Sequence, residues 1–106
     1  MGQMVLVTEY RTKPGKRDEP FKLFERLLAH RVSHGRDAMM WCDSATERDA
    51  SFLVEYWSDA TSFARLAESP CYAEYVAEVD VLVDAPPDTT VTVPRWIGGL
   101  SSPALS

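Results

Sequence analysis

The chain has 106 residues and a formal net charge of −5, with 45% hydrophobic and 25% charged residues. That length bounds it to one domain with a modest core. The acidic balance argues against a nucleic-acid partner, whose binding rests on neutralising phosphates, and no run approaches the ~20 apolar residues of a membrane span. The N-terminus, Met1-Gly2-Gln3-Met4-Val5, lacks the basic-then-apolar layout of a signal peptide, and Leu6 stands where a myristoylation motif wants Ser or Thr. A cytoplasmic protein is therefore expected. Cys42 and Cys71 lie in no C-x-x-C or zinc spacing and read as reduced thiols.

Met4–Tyr10 reads as a first strand, apolar on both faces through Val5, Leu6 and Val7. Lys13-Pro14-Gly15-Lys16 is a turn signal. A helix is expected over Asp18–Ser33, capped by Asp18 and ended by Gly35. Phe21, Phe24 and Leu28 form one stripe on it; Leu23, Leu27, His30 and His34 form its neighbour. Ala38–Asp43 is a second strand, joined by a polar hairpin loop to a third, Ser51–Ser58. In that third strand Phe52, Val54 and Tyr56 share one face, while Leu53, Glu55 and Trp57 share the other. A face carrying a carboxylate and a large aromatic should meet a partly polar space, either a pocket or a subunit contact.

Asp59–Glu68 reads as a short helix, and Ser69-Pro70 restarts it as cap and first helical residue. The second segment runs from Cys71 to about Val83, with Tyr72, Tyr75, Val76 and Val79 inward, until Ala85-Pro86-Pro87 stops it. Thr89–Val93 is β-branched throughout and forms a fourth strand, limited by Pro94. The order β-α-β-β-α-β predicts an α+β, ferredoxin-like fold: a four-stranded antiparallel sheet with helices on one face. Residues 1–97 make the domain and 98–106 a loose tail. The bare sheet face needs a cover, and a second copy packed sheet to sheet supplies one.

The Lys13-Pro14-Gly15-Lys16 turn, Glu55-Tyr56-Trp57-Ser58-Asp59 at the end of the third strand, and the Ser69-Pro70 restart resemble the antibiotic biosynthesis monooxygenase superfamily. The resemblance covers residues 4 to about 95. It implies a dimeric α+β barrel and, in each subunit, a cavity between sheet and helices. Activities it implies include cofactor-independent oxygenation of aromatic polyketides and quinols, oxidative haem breakdown, and non-oxygenase reactions. Trp57 matches the tryptophan typical of this strand end. Thr8 falls where haem-degrading members place an asparagine. Many members carry a histidine three residues before the Ser-Pro pair, and that position here is Leu66. Leucine can be neither a haem ligand nor a base. The reading that results is a cofactor-independent monooxygenase of secondary metabolism, using molecular oxygen on a small aromatic polyketide, phenol or quinol. A non-oxidative cyclase or isomerase on the same scaffold, or a non-catalytic ligand-binding dimer, is the alternative.

Such chemistry needs a flat apolar site, help in removing a proton, and donors for the anion that results. Trp57 is the expected stacking wall, its indole N–H offered to a substrate oxygen, with a core or interface tryptophan as the competing role. Tyr72 and Tyr75 offer hydroxyls, or simply pack. Arg65 is a candidate oxyanion partner if it is not solvated. His30, continuing the Leu23–Leu27 stripe, is the candidate base. Thr8, Phe24, Trp41, Phe63 and Leu66 complete the expected substrate lining. His30 and His34 at i, i+4 lack a third ligand, so no metal site is expected. Glu55 is either a functional carboxylate or the partner of an arginine across the subunit contact.

Overall fold

The computed structural model describes residues 2–29 and 36–98, without the side chains of residues 36 and 37. Its elements are β1 (Met4–Arg11), α1 (Asp18–Ala29), β2 (Arg36–Asp43), β3 (Ala50–Trp57), α2 (Ala60–Ala67), α3 (Pro70–Asp80) and β4 (Asp88–Thr92). The four strands form one antiparallel sheet in the order β2-β3-β1-β4. This is the expected ferredoxin-like arrangement, with the second helix divided into α2 and α3. The expected extension of α1 to Ser33 and most of the 98–106 tail lie outside the described residues.

Local chemistry fixes the connections. Gly15 has a φ of 77°, which suits glycine, and Pro14 precedes it, so Lys13–Lys16 closes as a tight turn with Lys16 N–H donating to Lys13 O at 3.0 Å. Asp59 caps α2 by accepting from the Thr61 N–H at 2.9 Å. Ser69 caps α3 by accepting from the Tyr72 N–H at 3.2 Å, with Pro70 in the first turn. Asp18 lies inside the first turn of α1 rather than at its cap; there it faces the positive end of the helix dipole.

Helix α3 stops at Asp80, short of the proline pair expected to end it. The backbone beyond it is claimed by the end of β1. Lys13 N–H donates to Leu82 O, Asp84 N–H donates to Arg11 O, and Thr12 bridges Val83. Val83 thereby enters the core from an extended segment rather than from the helix.

Register decides which residues meet the helices. One row across the inner face runs Thr89, Thr8, Leu53, Trp41, and the next runs Val91, Leu6, Glu55, Met39. Two apolar clusters cover this face. The larger contains Tyr10, Phe24, Leu27, Leu53, Tyr75, Val79 and Val83. The smaller is Met4, Leu6, Trp57 and Leu66. Trp57 is wholly buried. Each such side chain contributes on the order of 1.5–3 kcal/mol through burial. The opposite face presents Val5, Val7, Phe52, Val54 and Tyr56 half-buried and Met40 exposed. Among the described residues no helix covers it.

Ser69→Ala removes the oxygen that holds the first turn of α3. We expect a loss of about 1 kcal/mol in unfolding free energy by urea titration, with the far-ultraviolet circular dichroism unchanged.

Candidate functional site

The two apolar clusters do not meet completely. Between them, a cavity of about 320 Å³ opens on the helix side of the sheet. That volume falls at the lower end of the range of small-molecule sites, ~300–1,000 Å³. Its floor is the inner face of β1, β3 and β4, through Leu6, Thr8, Leu53, Glu55 and Thr89. The roof is Phe24 and Leu27 from α1, Phe63 from α2, and Tyr72, Tyr75, Val76 and Val79 from α3. Asp80, Pro86 and Pro87 line it between α3 and β4. Thr8 Oγ1 and Thr89 Oγ1 are 2.9 Å apart, so the strand hydroxyls are bonded to one another across β1 and β4.

Strand alternation sets one charged group into this apolar seam. Leu53 belongs to one cluster and Trp57 to the other, and Glu55 stands between them, 7% exposed. The Trp57 indole Nε1–H donates to Glu55 Oε1 at 3.1 Å. A buried carboxylate requires such donors, because its desolvation costs several kcal/mol. Glu55 faces the helices of its own chain, whereas the expected sheet-to-sheet contact would use the other face.

Two phenols form the second polar group. Tyr10 from β1 and Tyr75 from α3 are both buried, and their hydroxyl oxygens are 2.7 Å apart. Trp41 stacks on the Tyr10 ring at 5.0 Å and 23°, which fixes the phenol from behind. Burial, and then the neighbouring Tyr10 hydroxyl, Tyr72 and Glu55, push the Tyr75 phenol far above its ordinary value of 10.0. Tyr75 is therefore neutral at any physiological pH. It can donate or accept a hydrogen bond but does not act as a phenolate base.

Of the residues singled out in the sequence, Thr8, Phe24, Phe63, Tyr72 and Tyr75 line the cavity together. Others stand elsewhere. Trp57 is a core residue whose N–H is given to Glu55, and its ring meets Phe63 edge-on at 5.4 Å; no face of it is open to stack on a ligand. Leu66 is buried in the smaller cluster beside Trp57. Arg65, next to it, is exposed on the surface of α2. Trp41 lies behind Tyr10 and borders a separate depression with Arg17, Asp18, Phe21 and Asp43. His30 and His34 lie outside the described residues. Tyr10 and Thr89 are cavity residues that received no site role from sequence, and Glu55, read there as a functional carboxylate or an ion-pair partner, lines the cavity too. For Tyr10 the signal was present: it shares a strand face with Thr8. Among the described residues there is no group of His, Cys, Asp and Glu able to hold a metal, and no helix is long and apolar enough to cross a membrane. Cys42 and Cys71 are free and half-buried.

Sheet order, helix placement and cavity together define the α+β fold of the antibiotic biosynthesis monooxygenases. No family model matches the chain, and no curated protein matches it. Solved structures do. An antibiotic biosynthesis monooxygenase, so named, from Chloroflexus aurantiacus is similar with a TM-score of 0.78 at 20% identity, over 94% of this chain and 100% of that one. A protein of the same name from Caulobacter crescentus gives 0.79 at 16%, over 90% and 92%. SnoaB, a cofactor-independent oxygenase from Streptomyces nogalater, gives 0.77 at 14%, over 92% and 97%. At these identities the likeness establishes the fold.

The raised Tyr75 value has a consequence for stability. The folded state holds this proton more tightly than the unfolded chain, so the contribution is complete below about pH 10 and is lost as pH rises above it. We expect the stability difference between wild type and Tyr75→Phe to shrink between about pH 8 and about pH 11 in denaturant titrations. A phenolate spectrum that develops in the native protein with greater amplitude in the wild type than in Tyr75→Phe would show the opposite.

Proposed function

We propose that this protein is a cofactor-independent monooxygenase acting on a small aromatic phenol, quinol or polyketide. One observation carries the reading: an aromatic-lined cavity of about 320 Å³ that combines a buried phenol pair with apolar walls. The likeness to SnoaB supports it at the level of fold. A role in secondary metabolism comes with the reading from the resemblance, and a cytoplasmic setting is proposed with it.

Phe24, Phe63 and Tyr72 form the walls for a flat ring system, and Thr8 places a hydroxyl on the floor. The substrate supplies the electrons. Once deprotonated, an anthrone-type ring carries an enolate that reduces molecular oxygen. The ring methylene becomes a carbonyl by taking one oxygen atom, and its two hydrogens leave with the other as water. The protein's tasks are to hold the ring, exclude bulk water and stabilise the enolate oxygen. Tyr75, neutral and fixed by Tyr10, is the donor for that oxygen. A non-oxidative cyclase or isomerase would use the same walls and the same donor, and its turnover would not depend on oxygen.

The test is oxygen uptake by metal-stripped protein with a panel of anthrones and hydroquinones. We expect catalysed uptake without added cofactor, reduced about 100-fold in kcat/KM by Tyr75→Phe. Turnover that persists without oxygen would select the non-oxidative reading. A folded protein inert across the panel would count against both.

The same reading includes a homodimer packed sheet to sheet. Val7, Val54 and Met40 form a row across the middle of the outer face, an apolar surface that a second copy would bury. We expect sedimentation at dimer mass for the wild type and at monomer mass for Val54→Glu, which would place a charge at the centre of the contact. A wild-type monomer would remove the dimer from the reading.

A further inference from the structure

The reaction needs a proton acceptor; His30, the base expected from sequence, lies outside the described residues. Leu66 has no basic atom and is packed in the smaller cluster. Tyr75 stays protonated because burial disfavours its anion. Arg65 is exposed on α2 and cannot accept a proton. Among the described lining residues the carboxylates are Asp80 and Glu55. Asp80 is exposed, whereas Glu55 is buried in the floor.

We propose that Glu55 is the catalytic base of this cavity: its carboxylate takes the proton from the substrate. Three observations converge on it. Glu55 lies in the same cavity as Tyr75, so an acceptor and a donor address one bound molecule. The Trp57 N–H, 3.1 Å from Oε1, holds the carboxylate in a fixed orientation from inside the core. The position is costly for packing alone: an apolar side chain between Leu53 and Trp57 would close the seam between the two clusters without any desolvation.

The step balances without a co-reactant. A C–H bond of the ring methylene breaks, its electron pair moves into the ring as an enolate with the charge on the former carbonyl oxygen, and the proton passes to a carboxylate oxygen of Glu55. Tyr75 donates to the enolate oxygen. A phenol O–H would be deprotonated in the same way. The inference rests on the cavity's being the site for an acidic aromatic, as proposed above, and not on the oxygen chemistry that follows.

That independence sets the experiment. Anthrone is incubated with the protein in deuterium oxide under strict exclusion of oxygen, and loss of its methylene protons is followed by nuclear magnetic resonance. Binding of anthrone and the thermal transition are measured on the same samples. We expect the wild type to accelerate exchange and Glu55→Gln to lose at least about 100-fold of that acceleration while still binding anthrone. The glutamine keeps an oxygen for the Trp57 N–H and the same shape. Glu55→Asp keeps the carboxylate but withdraws it by one methylene, and should retain exchange, about 10-fold slower. A merely structural role would give the reverse ranking, with the isosteric glutamine milder than aspartate. Exchange unchanged in Glu55→Gln, or absent in the wild type with anthrone bound, would overturn the assignment. Catalysed exchange without oxygen uptake would keep Glu55 as the base and set aside the oxygenase reading.

Discussion

The site depends on one constraint: a strand turns successive side chains to opposite faces, and β3 uses that alternation to set Leu53, Glu55 and Trp57 against the helices. The two apolar members each anchor a cluster. The carboxylate between them belongs to neither cluster, and the cavity lies where the two fail to meet. The Trp57 indole is the internal half of the compensation for burying Glu55. A one-residue slip of β3 would turn Glu55 to the outer face, expose Trp57 and place Val54 and Tyr56 under the helices. Core and cavity therefore stand or fall on the same register.

The helical layer is built around this opening. Ser69 and Pro70 end one helix and begin the next, so α2 and α3 approach the sheet separately. Phe63 and Leu66 from α2 cover Trp57, whereas Tyr75 and Val79 from α3 cover Tyr10 and Leu53. Tyr72 packs against both clusters. One uninterrupted helix would have a single apolar stripe and could not serve two clusters on either side of a polar seam. The break in the helix and the charge in the strand are parts of the same arrangement.

The fold was legible because its signals are local. Alternation, the Lys13–Lys16 turn, the Asp59 and Ser69 caps and the proline after Ser69 all report on a few neighbouring residues, and each of these elements forms near its expected position. The exception, the end of α3, was decided by long-range bonds from Arg11 and Lys13, which no local pattern around Leu82 contains. The site was only half legible for the same reason. Thr8, Phe24, Phe63, Tyr72 and Tyr75 face inward by periodicity alone. Whether Trp57 is a wall or a floor, however, depends on how closely α2 approaches, and Phe63 and Leu66 bring it close enough to seal the ring. The charge on Glu55 pointed correctly to a partly polar space. What sequence could not give was that Trp57, two residues along the same strand face, donates its N–H to that carboxylate.

That pairing changes what the tryptophan does for a site of this kind. A ring stacked on substrate contributes binding energy equally before and during reaction, which lowers KM without raising kcat. A ring that orients a carboxylate from behind acts only through the group it holds, and its value is realised as the proton moves. The same division applies to the phenols: Trp41 fixes Tyr10, Tyr10 fixes Tyr75, and only Tyr75 and Glu55 need meet the reacting atoms. Under the proposed assignment the two groups have complementary roles: burial keeps the phenol protonated as donor, and the carboxylate is the acceptor. A neutral donor and an anionic acceptor across one flat cavity are suited to forming an enolate, whether oxygen or another electrophile then consumes it. On the assignment proposed above, proton transfer is the step that Glu55 and Tyr75 serve, and the choice between oxidation and isomerisation belongs to what the enolate meets next.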